Sequence, residues 1–136
     1  MKAVIIMGSA ADQDHARKIT AKLDAFNIPW EQHIASAHKN PREVLAILDA
    51  DKKEKSLVYV TIAGRSNALS GFVAANSEFP TLACPPFTDK IDMLVNIQST
   101  LQMPSKTPVL TILDPGNCAL AVKRILSLAV VPKEKK

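Results

Sequence analysis

The sequence predicts an α/β protein of three layers, a five-stranded parallel sheet with helices on both faces. Two observations carry this. Apolar, β-branched runs alternate five times with stretches of helical periodicity. The runs are also nearly continuous in apolar content, as strands buried on both faces of a parallel sheet must be.

The elements follow in order. Ala3-Val4-Ile5-Ile6-Met7 reads as a buried strand that ends at Gly8-Ser9. Asp12 opens a helical stretch in which Ala16, Ile19, Leu23 and Phe26 recur at helical spacing, and Asn27-Ile28-Pro29 stops it. A second strand covers about Trp30 to Ala35. Asn40-Pro41 is a helix start: Asn caps free amides, and Pro at the first helical position has no amide to leave unpaired. Val44, Leu45 and Leu48 give that helix its apolar side. Leu57 to Ile62 is the third strand, ended by Gly64, and a short helix runs through about Ala75. Pro80 to Cys84 is a short fourth strand stopped by Pro85-Pro86. A helix lies between Thr88 and Leu101. Pro108 to Leu113 is the fifth strand. Asp114-Pro115 repeats the cap-plus-proline start, and Val122, Ile125, Leu126 and Ala129 line the last helix.

The 136 residues suit one domain, here 1–129, followed by a basic tail, 130–136. Hydrophobic residues at 47% and charged residues at 22% are ordinary for a globular chain, so disorder and collagen-like repeats are excluded. Aromatics at 4% make the core aliphatic. Seventeen Lys and Arg against 13 Asp and Glu leave a formal net charge of +4, half of it in Lys133, Glu134, Lys135 and Lys136. With so few aromatics to interleave with the basic residues, no nucleic-acid partner is expected. Cys84 and Cys118 form no CxxC and no pattern with the three histidines, so no metal site is expected. Buried free thiols fit a reducing compartment. Five apolar residues after Met1-Lys2 are too few for a signal peptide, and no run approaches a membrane span. A cytoplasmic protein with no membrane partner is expected.

In such sheets ligands bind beyond the carboxyl ends of the strands, where strand order reverses. The loops there carry the chemistry. Gly8-Ser9-Ala10-Ala11-Asp12 joins a strand to a helix start, where free amides favour an anion. Ser9 adds a hydroxyl donor, and Asp12 suits either sugar hydroxyls or a helix cap. The loop is neither GxGxxG nor a Walker loop, which argues against dinucleotides and nucleoside triphosphates. In Ser36-Ala37-His38-Lys39, the Lys39 cation and the Ser36 donor suit a phosphate, and His38 supplies an imidazole, a group able both to take and to give a proton. His15, in a helix's first turn, and His33, within a strand, read as structural. Ala63-Gly64-Arg65-Ser66-Asn67-Ala68-Leu69-Ser70-Gly71 packs small and polar residues at a strand end; Gly64 permits close approach of a ligand, and Arg65 suits an anion or a loop-organising ion pair. Cys84 shows no partner His in sequence and reads as packing.

Taken together, Met7-Gly8-Ser9-x-x-Asp12, Ser36-Ala37-His38-Lys39, Ala63-Gly64-Arg65-Ser66-Asn67-Ala68-Leu69 and Cys84-Pro85-Pro86 resemble the PurE family of purine biosynthesis. The resemblance runs from about Ala3 to Leu128. It implies a flavodoxin-like fold and a homo-oligomer, commonly an octamer. It also implies one of two reactions leading to 4-carboxy-5-aminoimidazole ribonucleotide. The mutase class moves a carboxylate of N5-carboxyaminoimidazole ribonucleotide from nitrogen to carbon. The second class is a carboxylase that joins CO2 directly to aminoimidazole ribonucleotide, without ATP, biotin or metal. Lys39, the Arg65-Ser66-Asn67 loop without a second His, and Cys84-Pro85-Pro86 resemble the second class. The resemblance makes His38 the catalytic proton shuttle. It assigns Ser9, Ser36 and Lys39 to the phosphate, Asp12 to the ribose, and Gly64, Arg65, Ser66 and Asn67 to the base and CO2; Gly8, Ala37 and Leu69 complete the substrate site. Ala11 stands where the family commonly has a serine.

Two other classes remain to be weighed. A receiver domain shares the architecture, but it needs an acidic pair where Gly8-Ser9 stand and an Asp where Ala63-Gly64 stand. A non-catalytic sensor of a phosphorylated nucleoside would keep Ser9, Asp12, Ser36 and Lys39 without needing His38.

Overall fold

The computed structural model describes residues 1–129, so the basic tail at 130–136 lies outside the described residues. Five parallel strands form one sheet in the order β2-β1-β3-β4-β5. They are β1 (Lys2–Met7), β2 (Trp30–Ile34), β3 (Leu57–Ile62), β4 (Thr81–Ala83) and β5 (Leu110–Thr111). The helices are α1 (Gln13–Ala25), α2 (Pro41–Asp51), α3 (Leu69–Asn76), α4 (Lys90–Asn96), α5 (Gln98–Leu101) and α6 (Pro115–Leu128). This is the flavodoxin-like order, and its reversal falls between β1 and β3. From β1 the chain turns outward to β2; from β3 it turns the other way to β4.

The two central strands are apolar on both faces because both faces are covered. Alternation along β1 sends Ala3, Ile5 and Met7 to one side and Val4 and Ile6 to the other. The first set packs under α1 and α6, against Ala16, Ile19, Leu23, Val122 and Leu126. The second packs under α2 and α3, against Val44, Leu48, Leu69 and Val73. In β3, Val58, Val60 and Ile62 join the first core, while Leu57 and Tyr59 join the second. The register pairs Met7 with both Ile34 and Ile62, so the loops after β1, β2 and β3 start at one level.

The amino end of the sheet is closed by charge. The Lys2 ammonium lies 3.1 Å from Asp51 and 3.2 Å from both Glu31 and Glu54. Burial works against that charge, but the three carboxylates outweigh it and hold the Lys2 pKa above the ordinary lysine value. The buried Tyr59 hydroxyl donates to Asp51 at 2.8 Å.

Several expected boundaries shift for physical reasons. β5 is two residues rather than six, because its one neighbour, the three-residue β4, pairs with it only through Leu82–Leu110 and Ala83–Thr111. The expected helix between Thr88 and Leu101 is two short helices, α4 and α5, meeting at Ile97. Asn40 does not cap α2 with its side chain; its backbone carbonyl receives the Glu43 and Val44 amides instead. Asp114 does cap α6, accepting from the Asn117 amide at 2.8 Å.

Candidate active site

The first loop leaves β1 at Gly8, whose amide donates to the Ile62 carbonyl at 2.9 Å and so extends the central pairing by one residue. An alanine β-carbon at Gly8 would stand 3.5 Å from the Ala63 β-carbon, an ordinary contact, so the fold itself does not require glycine here. What the missing side chain leaves is room at the floor of the cleft. Ser9 is extended and caps a single 3-10 turn, Ala10–Asp12, that leads into α1. Its Oγ accepts from the Ala11 amide at 3.2 Å. Asp12 makes no side-chain cap bond to α1, so of its two sequence readings the structural one is not used. Burial raises the Asp12 pKa, opposed by its hydrogen bond from the backbone at Ser9 and by His15.

The second loop repeats this device. The Ser36 Oγ accepts from the Lys39 amide at 3.2 Å, and the Asn40 amide donates to the Ser36 carbonyl at 2.8 Å. Both serine oxygens are thus engaged as acceptors by their own loops. Each hydroxyl keeps its proton to donate outward. His38 and Lys39 follow on the exposed rim of the same turn.

In the third loop Arg65 adopts φ of 53°, the left-handed region that a non-glycine residue occupies only when its surroundings impose it. Asn67 is 4% exposed and faces the protein. Its Nδ2 donates to Thr100 Oγ1 at 3.0 Å, and its Oδ1 accepts from the Leu69 and Ser70 amides at 3.1 and 3.3 Å.

These three loops enclose a cleft of about 570 Å3. The first contributes Gly8, Ser9 and Asp12; the second Ser36, Ala37, His38 and Lys39; the third Gly64, Arg65, Ser66 and Leu69. Ala63 and Ala68, which carried no role in the sequence reading, complete the wall. Asn67 is the one sequence-predicted site residue that does not line the cleft; it organises the loop from beneath. A larger groove of about 860 Å3 lies at the opposite end of the sheet, among Leu48, Glu54, Ala74 and Phe79. It holds lysines and glutamates but no His or Cys, so it lacks a group that exchanges protons near neutral pH. The chemistry therefore favours the smaller cleft.

Beside it lies a contact that the sequence did not show. Cys84 does have a His neighbour: His15 Nε2 lies 3.5 Å from Cys84 Sγ and 3.0 Å from the Cys84 carbonyl. The two residues are 69 apart in sequence, so no local spacing could have shown it. A hydrogen bond with Cys118 draws the Cys84 thiol pKa down against burial, and His15 adds to this; Cys118 is pushed up in turn. Both cysteines are fully buried, which keeps them from a ligand in the cleft. Among the described residues no group of three or more His, Cys, Asp or Glu is placed to hold a metal ion. No helix among them is long and apolar enough to cross a membrane.

A family model described as AIR carboxylase matches residues 2–135. A phosphoribosylaminoimidazole carboxylase of Archaeoglobus fulgidus is 50% identical over 128 residues, covering 94% of this chain and 70% of that protein. One from Treponema denticola is 43% identical, covering 92% of this chain and 79% of that protein. A human bifunctional phosphoribosylaminoimidazole carboxylase/phosphoribosylaminoimidazole succinocarboxamide synthetase is 34% identical; it matches 94% of this chain over 30% of its own length. The crystal structure of Treponema denticola PurE superposes with a TM-score of 0.87 at 42% identity, covering 93% of this chain and 80% of that one.

Proposed function

The chain belongs to the AIR carboxylase family, and from that premise we propose that it joins CO2 directly and reversibly to C4 of 5-aminoimidazole ribonucleotide. The observation that carries this reading is the convergence of a proton-exchanging imidazole with two outward-donating hydroxyls and a lysine on one cleft. His38, Ser9, Ser36 and Lys39 all line it. The carboxylases of Archaeoglobus fulgidus and Treponema denticola support the direct reaction by name. Lys39, Arg65-Ser66-Asn67 and Cys84-Pro85-Pro86 support it by motif.

The chemistry needs little from the protein beyond placement and one base. The amino group feeds the imidazole ring, so C4 is nucleophilic and attacks the CO2 carbon. The new carbon–carbon bond leaves C4 carrying both hydrogen and carboxylate. His38 removes that hydrogen as a proton, and the electron pair restores the aromatic ring. In reverse, the protonated His38 delivers its proton to C4 and CO2 departs. Ser9, Ser36 and Lys39 hold the phosphate, near the positive end of the α1 dipole. Asp12 accepts from the ribose hydroxyls. Its raised pKa fits a carboxylate half-withdrawn from water, ready to exchange solvent for sugar hydroxyls. Gly8 lets the nucleotide lie against the cleft floor. Gly64, Arg65 and Ser66 border the base and CO2, Ala37 and Leu69 supply apolar wall, and Asn67 supports the loop. No ATP, biotin or metal has a part in this scheme. Ala11 brings no hydroxyl to the phosphate, which leaves Ser9, Ser36 and Lys39 as its side-chain ligands.

The reading extends to assembly and place. Along α4, Ile91, Leu94 and Val95 are 74%, 66% and 68% exposed. Apolar side chains so placed on one short helix fit an interface between copies of this chain. A homo-oligomer, an octamer by the family resemblance, and a cytoplasmic location complete the proposal, with residues 1–129 as its single domain.

Supplying the purified protein with aminoimidazole ribonucleotide and bicarbonate, without ATP or metal, tests the reading; the carboxylated product is followed by absorbance. Product is expected. Product from N5-carboxyaminoimidazole ribonucleotide alone would make the chain a mutase. Binding without turnover of either would make it a sensor.

A further inference from the structure

The residues assigned to the base and CO2 lie on the third loop, and the bonds made within that loop, from the Leu69 and Ser70 amides to Asn67 Oδ1, do not reach Arg65. Arg65 sits in the left-handed region, φ 53°, without being glycine. Such a conformation persists only where neighbouring structure imposes it. The imposing groups come from α5, which contributes no side chain to the cleft. Ser99 Oγ accepts from the Asn67 amide at 2.9 Å. The same oxygen lies 3.0 Å from the Arg65 carbonyl and 3.0 Å from the Asn96 carbonyl, so its one proton serves those two acceptors in turn. One residue along, Thr100 Oγ1 receives the Asn67 side-chain amide at 3.0 Å. Two consecutive hydroxyls on α5 therefore grip the loop on both sides of Ser66.

We infer that Ser99 is a positioning residue for this site, acting through Arg65 and Asn67 to set where Gly64, Arg65 and Ser66 stand against the base. The inference rests on the carboxylase reading above for its effect on turnover. It goes beyond that reading by extending the machinery to an element outside the cleft. The hydroxyl is doing two things a methyl cannot: it accepts one amide and donates to a carbonyl two residues earlier. Removing it frees both ends of the strained turn. The phosphate and ribose contacts belong to the first and second loops, which α5 does not touch through these bonds. Loss of Ser99 should therefore fall on kcat more than on the KM for the nucleotide. A displacement near 1 Å at a reacting centre lowers the rate by about two orders of magnitude, which sets the upper end of the effect.

The test compares wild type, Ser99→Ala and Ser99→Thr as full chains. Steady-state rates are taken with aminoimidazole ribonucleotide and bicarbonate, and amide hydrogen exchange is followed over residues 57–70. Ser99→Ala should lower kcat by roughly tenfold or more, with KM for the nucleotide within about threefold. Ser99→Thr, which keeps the hydroxyl, should recover most of kcat. The Asn67 amide should exchange faster in Ser99→Ala while β3 stays as protected as in wild type. Unchanged Asn67 exchange in Ser99→Ala overturns the inference whatever the activity shows. So does equal loss of kcat in both variants with protection lost throughout β3. If wild type turns over no substrate, the carboxylase reading fails separately, and the exchange data alone decide whether Ser99 holds the loop.

Discussion

Replacing Tyr59 with Phe should separate the stability of this fold from its activity. The Tyr59 hydroxyl is buried and donates to Asp51 at 2.8 Å, and Asp51 is itself buried beside the Lys2 ammonium. Burial, and then the bond to Asp51, raises the phenol pKa, so the group remains a donor at every working pH. Phe keeps the ring and its edge-on contact with Phe79, centroids 6.3 Å apart, so little cavity is opened. What goes is one buried hydrogen bond to a carboxylate, worth about 1.5–3 kcal/mol. An unfolding entropy near 2.1 cal/mol/K per residue gives about 0.3 kcal/mol/K for a chain of this length. The midpoint should therefore fall by about 5–10 °C in a thermal melt followed by circular dichroism. The network closes the amino end of the sheet while the cleft opens at the carboxyl end, so kcat at 25 °C should not change. A midpoint within about 1 °C of wild type, or lost turnover with an unchanged melt, would refute this reasoning.

Three further outcomes follow from the same geometry. Gly8→Ala meets only ordinary contacts and no positive φ, so the melt should hold or rise slightly, while the added methyl at the cleft floor lowers kcat/KM. Asp12→Asn removes a carboxyl whose folded pKa lies above its ordinary 3.8. A raised carboxyl binds protons more tightly folded than unfolded, so wild-type stability gains as pH falls through that window. Paired melts at pH 3 and pH 7 should show the variant losing that gain, and its KM for the nucleotide should rise. If the proposed homo-oligomer forms through α4, Leu94→Asp, which places a charge on its exposed face, should lower the mass seen in sedimentation; an unchanged mass would rule out α4 as the interface.

The parts of the fold legible in the sequence are those fixed by local chemistry. β1 and β3 announced themselves because both their faces are buried, and α6 because Asp114 and Pro115 each do one job at a helix start. The cleft was legible too, since parallel strands bring their carboxyl-end loops to one place. What sequence could not show was pairing at a distance. Ser36 rather than Asn40 supplies the side-chain bond ahead of α2, because the second loop folds back on itself before the helix begins. His15 meets Cys84 only once β4 lies beside the start of α1. Asn67 sits among cleft residues in sequence but turns inward, because α5 offers it hydroxyl partners from 32 and 33 residues away. β5 is two residues long because its one neighbour, β4, has only three residues to pair with.

The central claim is that His38 carries the proton to and from C4. The direct test is decarboxylation of 4-carboxy-5-aminoimidazole ribonucleotide by wild type and His38→Asn, with nucleotide affinity measured by calorimetry on the same samples. Asn fits the exposed position and keeps the amide geometry of the loop, so affinity should stay within a few-fold. The rate should drop by about 10²–10⁴-fold, the usual contribution of a general acid-base. A variant that binds the nucleotide and decarboxylates it at the wild-type rate would contradict the account.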